Sequence, residues 1–291
     1  MRQHPSRGVD GDVGHRHDRH VREWDIRDGF QDVDRVGGAR PFVDYLDSAG
    51  RQLAPLKGHV MEALSLGAGD HVLEVGSGTG DDLRDLAQTV GVAGRVVGID
   101  SSQELVDEAR HRTRDYATVE VHQGDAHRLG FPDGTFDRVR VERVLMHVTE
   151  PAVVVGELTR VLRAGGRLVL AEPDWDTLVL DSDDLATARR AARLVANGAR
   201  HPDIGRRLAR LATAHGLQVH SIDCVSSVMR NCEMANGVLR IEDAIEREND
   251  DVVRAWWHEL RQRSPREDFL AVLTFVVVTA RKERMGSTVA S

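Results

Sequence analysis

The residues best placed to do chemistry lie in a glycine-rich segment at residues 72–82, Val-Leu-Glu-Val-Gly-Ser-Gly-Thr-Gly-Asp-Asp. An apolar run ends there in a tight turn, and a helix is predicted to begin at Asp82. Glycines suit such a turn because the backbone folds sharply and a ligand can approach without a Cβ in the way. A nicotinamide-dinucleotide loop would carry glycine at position 81, where this chain has Asp81. Because Asp81 and Asp82 place two negative charges at the turn, the segment favours a ligand with a cationic or neutral body over an anion.

Two further carboxylates follow apolar runs in the order expected for a nucleoside site. Asp100 ends the run that begins at Arg95, and a carboxylate at the end of a second strand can accept hydrogen bonds from both ribose hydroxyls. Asp125 follows the next run, where its oxygen would lie near the exocyclic amine of an adenine. The alternatives are a solvated or helix-capping carboxylate for Asp100 and a simple turn for Asp125.

Short apolar runs alternate with amphipathic stretches from Gly67 onwards, and this alternation predicts the elements that position these residues. The apolar runs are His71–Val75, Arg95–Ile99, Thr118–His122, Phe136–Val141, Gly166–Ala171, Gln218–Val228 and Phe269–Thr279. The amphipathic stretches among the first five are Asp82–Val90, Ser102–Arg114 and Pro151–Leu162. Strands alternating with helices predict an α/β fold with a seven-stranded, mostly parallel sheet that carries helices on both faces.

The chain divides into a tail, an arm and a main domain. Residues 1–20 hold four of the fourteen histidines and almost nothing apolar, which predicts a disordered tail; metal binding by these imidazoles is the alternative. Residues 21–66 are predicted to form an N-terminal helical arm that is helical over residues 40–66. Residues 67–291 form the main domain, with a helical insertion on the substrate side at residues 233–262, before the last strand.

The glycine-rich segment and the motifs after it resemble those of class I S-adenosylmethionine-dependent methyltransferases. The matching stretches are Glu-Val-Gly-Ser-Gly-Thr-Gly at 74–80, Asp100, Gly-Asp-Ala at 124–126, Phe-Pro-Asp-Gly-Thr-Phe-Asp at 131–137, Glu-Arg-Val-Leu-Met-His at 142–147 and Leu-Arg-Ala-Gly-Gly-Arg-Leu-Val-Leu at 162–170. The similarity is strongest towards the quinone-biosynthesis C-methyltransferases and related small-molecule enzymes. It implies a Rossmann-like fold, S-adenosylmethionine as the cofactor, and methyl transfer as the activity.

The resemblance also implies which residues bind each end of the cofactor. Those at the methionine end are Glu74, Gly76, Ser77 and Gly78, with Glu74 helping to order the glycine loop. Those at the nucleoside end are Asp100, Ser101, Gly124, Asp125 and Ala126. Glu142 and Arg143 fall where the segment after the fourth strand meets the methionine end, although the family more often has small or amide residues there. Tyr45 on the arm would cover the cofactor as part of a lid, or would pack between helices.

Methyl transfer from a sulfonium needs the acceptor in line with the methyl group, and a neutral acceptor such as a phenol benefits from a general base. His147, directly after the fourth strand, is the candidate base; the alternative is a histidine that packs against the next helix. Asp174 would orient that base or a substrate hydroxyl, or would be a solvated turn residue. No metal is predicted, because the acidic residues after the fifth run lack the paired Asp-Asn segment of magnesium-dependent methyltransferases.

Composition and charge limit the partners. The chain has 47 Asp and Glu residues against 39 Lys and Arg, a net charge of −8, which opposes a broad nucleic-acid surface. Its longest apolar run, at residues 269–280, is too short to span a membrane. Two cysteines and no secretory signal predict an enzyme of a reducing cytoplasm. Arginines that recur between residues 189 and 210 predict one helix with a solvated, charged face.

The sequence therefore predicts a methyltransferase that acts on oxygen, nitrogen or carbon of a small molecule, in secondary-metabolite or quinone-like biosynthesis. A cyclase or a binding protein that holds S-adenosylmethionine without transferring its methyl group is the alternative. Methylation of tRNA or protein is a third interpretation, which the acidic balance and the lack of a visible recognition domain oppose. A homodimer is left open.

Overall fold

The computed structural model describes residues 33–35, 40–263 and 269–284. The strands of these described residues are β1 (His71–Val75), β2 (Arg95–Asp100), β3 (Val119–Gln123), β4 (Phe136–Glu142), β5 (Leu162–Leu180), β6 (Leu217–Met229) and β7 (Ala271–Lys282). Their α-helices are α1 (Arg40–Gln52), α2 (Ala54–Leu64), α3 (Asp81–Val90), α4 (Gln103–Thr113), α5 (Pro151–Val161), α6 (Leu185–Ala196), α7 (Ile204–Ala214), α8 (Cys232–Leu239), α9 (Ile241–Glu248) and α10 (Asp251–Arg263). The predicted histidine-rich tail at residues 1–20 lies outside the described residues.

All the strands join one sheet in the order β3-β2-β1-β4-β5-β7-β6. Strands β1 to β5 pair in parallel, whereas β7 runs antiparallel to both of its neighbours, β5 and β6. The predicted seven-stranded, mostly parallel sheet is confirmed. The strand order reverses between β1 and β4, and the carboxyl ends of strands at such a reversal form the crevice in which open α/β sheets bind ligands.

Apolar side chains on both faces of the central strands are covered by helices. Fully buried examples on β1 and β4 are Val72, Leu73, Val139 and Val141. Gly98 on β2 lets helix α3 pack directly on the sheet, because a Cβ at this position would lie 2.7 Å from Leu83 Cδ1. Packing on both faces is typical of near-continuous apolar strands such as β2, whereas β4 carries Asp137, Arg138 and Arg140 between its apolar residues.

The helix predicted over residues 40–66 consists of two helices. Helix α1 ends at Gln52 and α2 begins at Ala54, with Pro55 in its first turn. Proline has no backbone N–H and fits the start of a helix better than its interior, so it favours a new helix here. The arginine-rich segment is likewise two helices, α6 and α7, separated by residues 197–203, which include Gly198 and Pro202.

Strand β5 and the insertion also differ from the prediction. Strand β5 continues past Ala171 to Leu180 because it keeps pairing with β7, with an irregularity between Asp174 and Val179. The insertion before β7 is three helices rather than one long segment. Arg240 and Asn249 adopt left-handed backbone conformations, with φ of 53° and 49°, and these residues end α8 and α9.

The N-terminal helices pack beside the crevice and contact the insertion. The Tyr45 hydroxyl on α1 donates to the Val238 carbonyl on α8 at 3.4 Å. In a short 3-10 helix at residues 33–35, the Asp34 carboxylate accepts hydrogen bonds from the Ser102 hydroxyl and the Gln103 amide at the start of α4. A small apolar cluster joins these segments: Val33, Phe42, Val43 and Leu105. No α-helix in the described part of the chain is both long and apolar enough to span a bilayer.

Candidate functional site

The glycine loop after β1 turns at residues with left-handed backbone conformations. Gly76, Gly78 and Gly80 have φ values of 77°, 51° and 80°. The Gly76 amide donates to the Ile99 carbonyl at 2.7 Å, which ties the loop to the end of β2. A Cβ at Gly76 would lie 2.1 Å from the Val144 Cγ2 atom, so the loop also lies directly against the segment after β4. Only glycine fits this conformation and this close approach.

Asp100 ends β2 and is anchored by backbone amides. Its Oδ2 atom accepts from the Gly78 amide at 2.9 Å, and its Oδ1 atom accepts from the Ser102 amide at 3.0 Å. Burial raises the pKa of the Asp100 carboxyl above its ordinary value, and the amide hydrogen bonds partly oppose this. Each carboxylate oxygen can accept more than one hydrogen bond, so this fixed carboxylate still has acceptor capacity towards a ligand.

Asp125 follows β3 and is held by His127. Its Oδ1 atom accepts from the His127 amide at 2.8 Å and lies 2.6 Å from the ring Nδ1 atom of the same residue. Although partial burial acts to raise it, the pKa of the Asp125 carboxyl is lowered by these contacts. The carboxylate is therefore ionised and fixed in direction.

These residues line one cavity of about 370 Å³ at the carboxyl ends of β1, β2, β3 and β4. Of the residues predicted from the sequence, it is lined by Tyr45, Gly76, Gly78, Asp100, Ser101, Gly124, Asp125, Ala126, Glu142, Arg143 and His147. Its apolar wall consists of Leu46, Val75, Ile99, Leu105, Val144, Met146 and Val148. A second cavity of about 420 Å³, shared with the glycine loop, is lined by the predicted residues Glu74 and Ser77.

A family model described as a methyltransferase domain matches residues 73–170, the part of the chain that builds this cavity. An uncharacterized 37.1 kDa protein in transposon TN4556 of Streptomyces fradiae is 44% identical over 208 residues, which are 70% of this chain and 60% of that protein. A demethylmenaquinone methyltransferase of Staphylococcus saprophyticus is 29% identical over 164 residues, 55% of this chain and 67% of that protein. The chain belongs to the class I S-adenosylmethionine-dependent methyltransferases. It spans only 60% of the length of the first of these relatives.

Solved structures agree with this methyltransferase fold. The YcgJ protein of Bacillus subtilis aligns with a TM-score of 0.58 at 19% identity, covering 79% of this chain and 98% of that chain. The [4+2]-cyclase SpnF aligns with a TM-score of 0.54 at 24% identity, covering 79% and 81%. At such identities the likeness shows the fold alone, and proteins named for different reactions share it.

The residues of the cavity fit the cofactor of this methyltransferase family. S-adenosylmethionine has an adenosyl group, a sulfonium cation and an amino-acid end. Asp100 and Asp125 offer carboxylates at two separate points for the nucleoside. Glu142 places a third carboxylate on the cavity wall, beside the Arg143 guanidinium, so both signs of charge are present for the other end.

A buried ionic cluster lies behind the glycine loop of the methyltransferase domain. Arg140, in the middle of β4 and fully buried, donates to Glu74 at 2.6 Å, to Glu142 at 2.6 Å and to Asp82 at 2.9 Å. Lys57 from α2 also pairs with Asp82. Burial raises the pKa of Glu74 to about 8 against the opposing charge of Arg140, whereas Arg140 and Lys57 overcome burial and hold the pKa of Asp82 below its ordinary value.

This cluster corrects one step of the sequence argument. Asp81 and Asp82 were expected to present two uncompensated negative charges at the turn and so to disfavour an anion. In the structure Asp82 is paired with Arg140 and Lys57, and Asp81 is paired with Arg84 and Arg112. Their charges are compensated by the protein, so only the glycine spacing, and not the charge, distinguishes this loop from a dinucleotide-binding loop.

A buried acid, Glu172, holds the segment after β4 in place. Glu172 at the carboxyl end of β5 is fully buried, and its Oε1 atom accepts from the Val144 and Leu145 amides at 2.8 and 2.6 Å. Burial raises the pKa of the Glu172 carboxyl to about 8, against the effect of these amide bonds. His147 lies at the end of the segment, is 6% exposed and lines the cavity.

Asp174 does not reach the cavity. It is buried on β5, and both of its carboxylate oxygens accept hydrogen bonds from the Arg206 guanidinium on α7, with 2.5 Å from Nε to Oδ2. Gly205 allows α7 to come this close, because a Cβ there would lie 3.0 Å from the Pro173 carbonyl. Asp174 thus joins α7 to β5 and lies apart from His147, which it was expected to orient, whereas His147 lines the cavity.

Several residues of the site were not singled out from the sequence. They are His127, Arg140 and Thr149; Glu172 and Met146 lie within segments that the sequence analysis considers, but neither was given a place in the cofactor or catalytic site. A charged residue inside an apolar strand is a signal for Arg140, and a histidine two positions after the predicted adenine-binding carboxylate is a signal for His127. Among the described residues, no group of three or more His, Cys, Asp or Glu side chains is arranged to hold a metal ion.

Proposed function

We propose that this chain transfers the methyl group of S-adenosylmethionine to oxygen, nitrogen or carbon of a small molecule. The observation that carries the proposal is the single cavity that joins the glycine loop, Asp100, Asp125 and His147 at the strand reversal of a methyltransferase-family sheet. His147 lines this cavity together with Asp100 and Asp125, so a group that can take a proton from the acceptor shares the cavity with the proposed nucleoside-binding carboxylates.

The arrangement supports a specific orientation of the cofactor. Asp100 would accept from the ribose hydroxyls and Asp125 from the adenine amine. The methionine end would then lie along the glycine loop towards Glu142 and Arg143, where the loop joins the second, polar cavity. The sulfonium would lie near the segment after β4, which ends in His147, so the methyl group would face the part of the cavity formed by Met146, His147 and Val148.

The reaction would be an in-line displacement. A lone pair of the acceptor forms the new bond to the methyl carbon, the carbon–sulfur bond breaks, and its electron pair remains on the sulfur, which leaves neutral. If the acceptor is a hydroxyl, His147 takes its proton as the bond forms. The apolar wall of the cavity favours an aromatic or polyketide-like acceptor, and we place the reaction in secondary-metabolite or quinone-like biosynthesis in the cytoplasm.

The test has two steps. Calorimetry with S-adenosylhomocysteine first measures whether the chain binds the cofactor product, with NADH as the comparison ligand. The protein is then incubated with S-adenosylmethionine and sets of phenols, hydroxyquinones and amines, and mass spectrometry detects acceptors that are heavier by one CH2 together with S-adenosylhomocysteine. Absence of cofactor binding would contradict the proposal. Binding accompanied by an isomerised acceptor, with no S-adenosylhomocysteine formed, would favour the cyclase alternative.

A further inference from the structure

The ring of His127 bridges two loops at one end of the cavity. Its Nδ1 atom lies 2.6 Å from Oδ1 of Asp125, in the loop after β3. Its Nε2 atom lies 3.0 Å from the Thr149 hydroxyl and accepts from the Glu150 amide at 3.3 Å, both in the segment that leads from β4 into α5. Both ring nitrogens therefore have partners, and the two loops are joined through one side chain.

These partners determine the protonation state of the His127 ring. A backbone N–H can only donate, so Nε2 accepts from Glu150 and carries no proton. The proton then resides on Nδ1, where it is donated to the Asp125 carboxylate. The ring is the neutral Nδ1–H tautomer, and it holds Asp125 through a hydrogen bond to a charged acceptor, one of the stronger kinds in proteins.

The bridge leaves the other oxygen of Asp125 for a ligand. The side chain of Asp125 is 68% exposed and lines the cavity, whereas the ring of His127 is only 22% exposed. Within the described residues, Oδ2 of Asp125 accepts no hydrogen bond, while Oδ1 accepts two from His127. The His127 backbone amide alone would hold Oδ1 through one hydrogen bond, about which an exposed carboxylate can still pivot, so the second contact, from the ring, fixes the direction in which Oδ2 points.

We infer that His127 is a positioning residue that aims Asp125 at the exocyclic amine of adenine and so makes the cavity selective for an amino-bearing purine. The inference rests on the proposed function, because it takes Asp125 as the acceptor for that amine. A purely structural role for His127, in which the ring only joins the two loops, makes a different prediction. In that case its loss would weaken the binding of all cofactor analogues equally.

The test compares two ligands: S-adenosylhomocysteine and its analogue with unsubstituted purine in place of adenine, which lacks only the amine. Calorimetry on the full chain should show that the wild type binds the analogue roughly 10- to 150-fold more weakly, as expected for one lost hydrogen bond to a charged group. In His127→Ala the preference for the adenine form should fall to within about threefold, because Asp125 is then held only by the backbone amide of residue 127 and no longer aims Oδ2 at the amine.

Two conservative variants separate positioning from loop joining. His127→Asn places an amide N–H near the position of Nδ1 and can still donate to Asp125, so it should retain most of the preference. His127→Gln places its amide near Nε2 and can contact Thr149 and Glu150, so it should lose the preference. His122→Asn, at an exposed histidine beside Glu120 on β3, is the matched control and should leave both affinities unchanged.

The outcomes distinguish this inference from the proposed function. If the wild type does not bind S-adenosylhomocysteine, the proposed function fails. If the wild type binds both ligands equally, or if His127→Ala retains the full preference while its melting temperature shows that it is folded, the positioning role is overturned and the proposed function stands. Retention of the preference in His127→Gln and its loss in His127→Asn would overturn the role as well.

Discussion

At the scale of single residues, the Asp100 carboxylate both holds the glycine loop and lines the cavity. It accepts the Gly78 amide of the glycine loop and the Ser102 amide at the start of α4. It also lines the cavity where a ribose would bind. The same side chain thus holds the glycine loop and, under the proposed function, would offer acceptor atoms to the cofactor.

Replacing Asp100 should weaken cofactor binding more than it changes the fold. We expect Asp100→Ala to reduce the affinity for S-adenosylhomocysteine by about 1–3 kcal/mol, the cost of unpaired polar groups at a buried site. Isothermal titration calorimetry measures this change, and Asp115→Ala, at a carboxylate that is 81% exposed, serves as the control. Equal affinities for wild type and Asp100→Ala would show that the ribose is bound elsewhere.

A second residue-scale prediction concerns His147 as a base. His147→Ala should lower the single-turnover rate with a hydroxyl acceptor by roughly 10²- to 10⁴-fold, the range for a lost general base. The affinity for S-adenosylhomocysteine should hardly change, because a base acts only as the proton leaves. Because His147 is buried, the melting temperature is measured on the same preparation. A folded variant with the wild-type rate would leave orientation as the main source of catalysis.

The sequence predicts the proposed nucleoside-binding residues better than the residues that hold them in place. Three of them can be recognised from local sequence pattern alone, because each lies at the end of a strand or just after it: Gly76, Asp100 and Asp125. Arg140 lies on β4, but its partners Glu74 and Asp82 lie on other elements, and only the parallel pairing of β1 with β4 brings them together. Contacts between segments that lie so far apart in the chain produce no regular residue spacing, so a sequence pattern cannot reveal them.

At the scale of elements, the turn between β1 and α3 is the most constrained part of the fold. Gly76 needs a left-handed conformation and also lies against Val144, so the turn and the segment after β4 cannot move independently. The segment after β4 is held in turn by Glu172 at the end of β5. The carboxyl ends of β1, β4 and β5 therefore determine the shape of one cavity wall together.

Adding a methyl group at Gly76 should disturb this wall. In Gly76→Ala the new Cβ would meet Val144 Cγ2 at 2.1 Å and the residue would keep a φ of 77°, so the segment after β4 has to shift. We expect a loss of stability of about 2–4 kcal/mol from strain and overpacking together, with weaker cofactor binding. Urea denaturation and calorimetry measure both effects.

Gly58→Ala is the matched control for this prediction. Gly58 lies within helix α2, and a Cβ there would meet no atom within 4 Å. Alanine is favoured over glycine in a helix interior by roughly 0.5–1 kcal/mol, so this variant should be slightly more stable than the wild type and bind the cofactor equally well. If the two variants behave alike, the clash with Val144 is not the reason for any loss at Gly76.

The element boundaries show where local pattern is insufficient. Strands β1, β2 and β4 begin and end close to their predicted positions because each is a short run of buried apolar residues between polar turns, although in β4 charged residues alternate with the apolar ones. Strand β5 extends to Leu180 because it pairs with β7, which lies about a hundred residues further along the chain. The break between α1 and α2 was detectable, since Pro55 favours the first turn of a helix over its interior.

At the scale of the whole molecule, the chain has a net charge of −8. Several of its carboxylates are buried near the cavity. Glu74 and Glu142 share the Arg140 guanidinium, whereas Glu172 is held by backbone amides. At Glu172 burial raises the pKa more than these amide hydrogen bonds lower it. The pKa of this carboxyl is raised from 4.5 to about 8, so it is protonated in the folded chain at neutral pH.

This raised pKa makes stability depend on pH with a definite sign. Between pH 4.5 and about 8 the folded chain holds a proton on Glu172 that the unfolded chain has released. The contribution of Glu172 to stability is thus fully present below pH 4.5 and is lost as the pH rises through about 8, at roughly 1.4 kcal/mol per pH unit. Glu74, whose pKa is also raised to about 8, acts in the same direction.

Glu172→Gln isolates the contribution of this one carboxyl to the whole molecule. Its amide oxygen can still accept from the Val144 and Leu145 amides, but the side chain cannot titrate, so the free energy of unfolding should fall less steeply with rising pH than in the wild type. Urea denaturation at several pH values from about 5 to about 8 measures both slopes. Glu62→Gln, at an exposed glutamate on α2, should retain the wild-type slope. Parallel curves for wild type and Glu172→Gln would mean that Glu172 is ionised in the folded chain, and that the amides of the segment after β4 stabilise its charge more than burial opposes it.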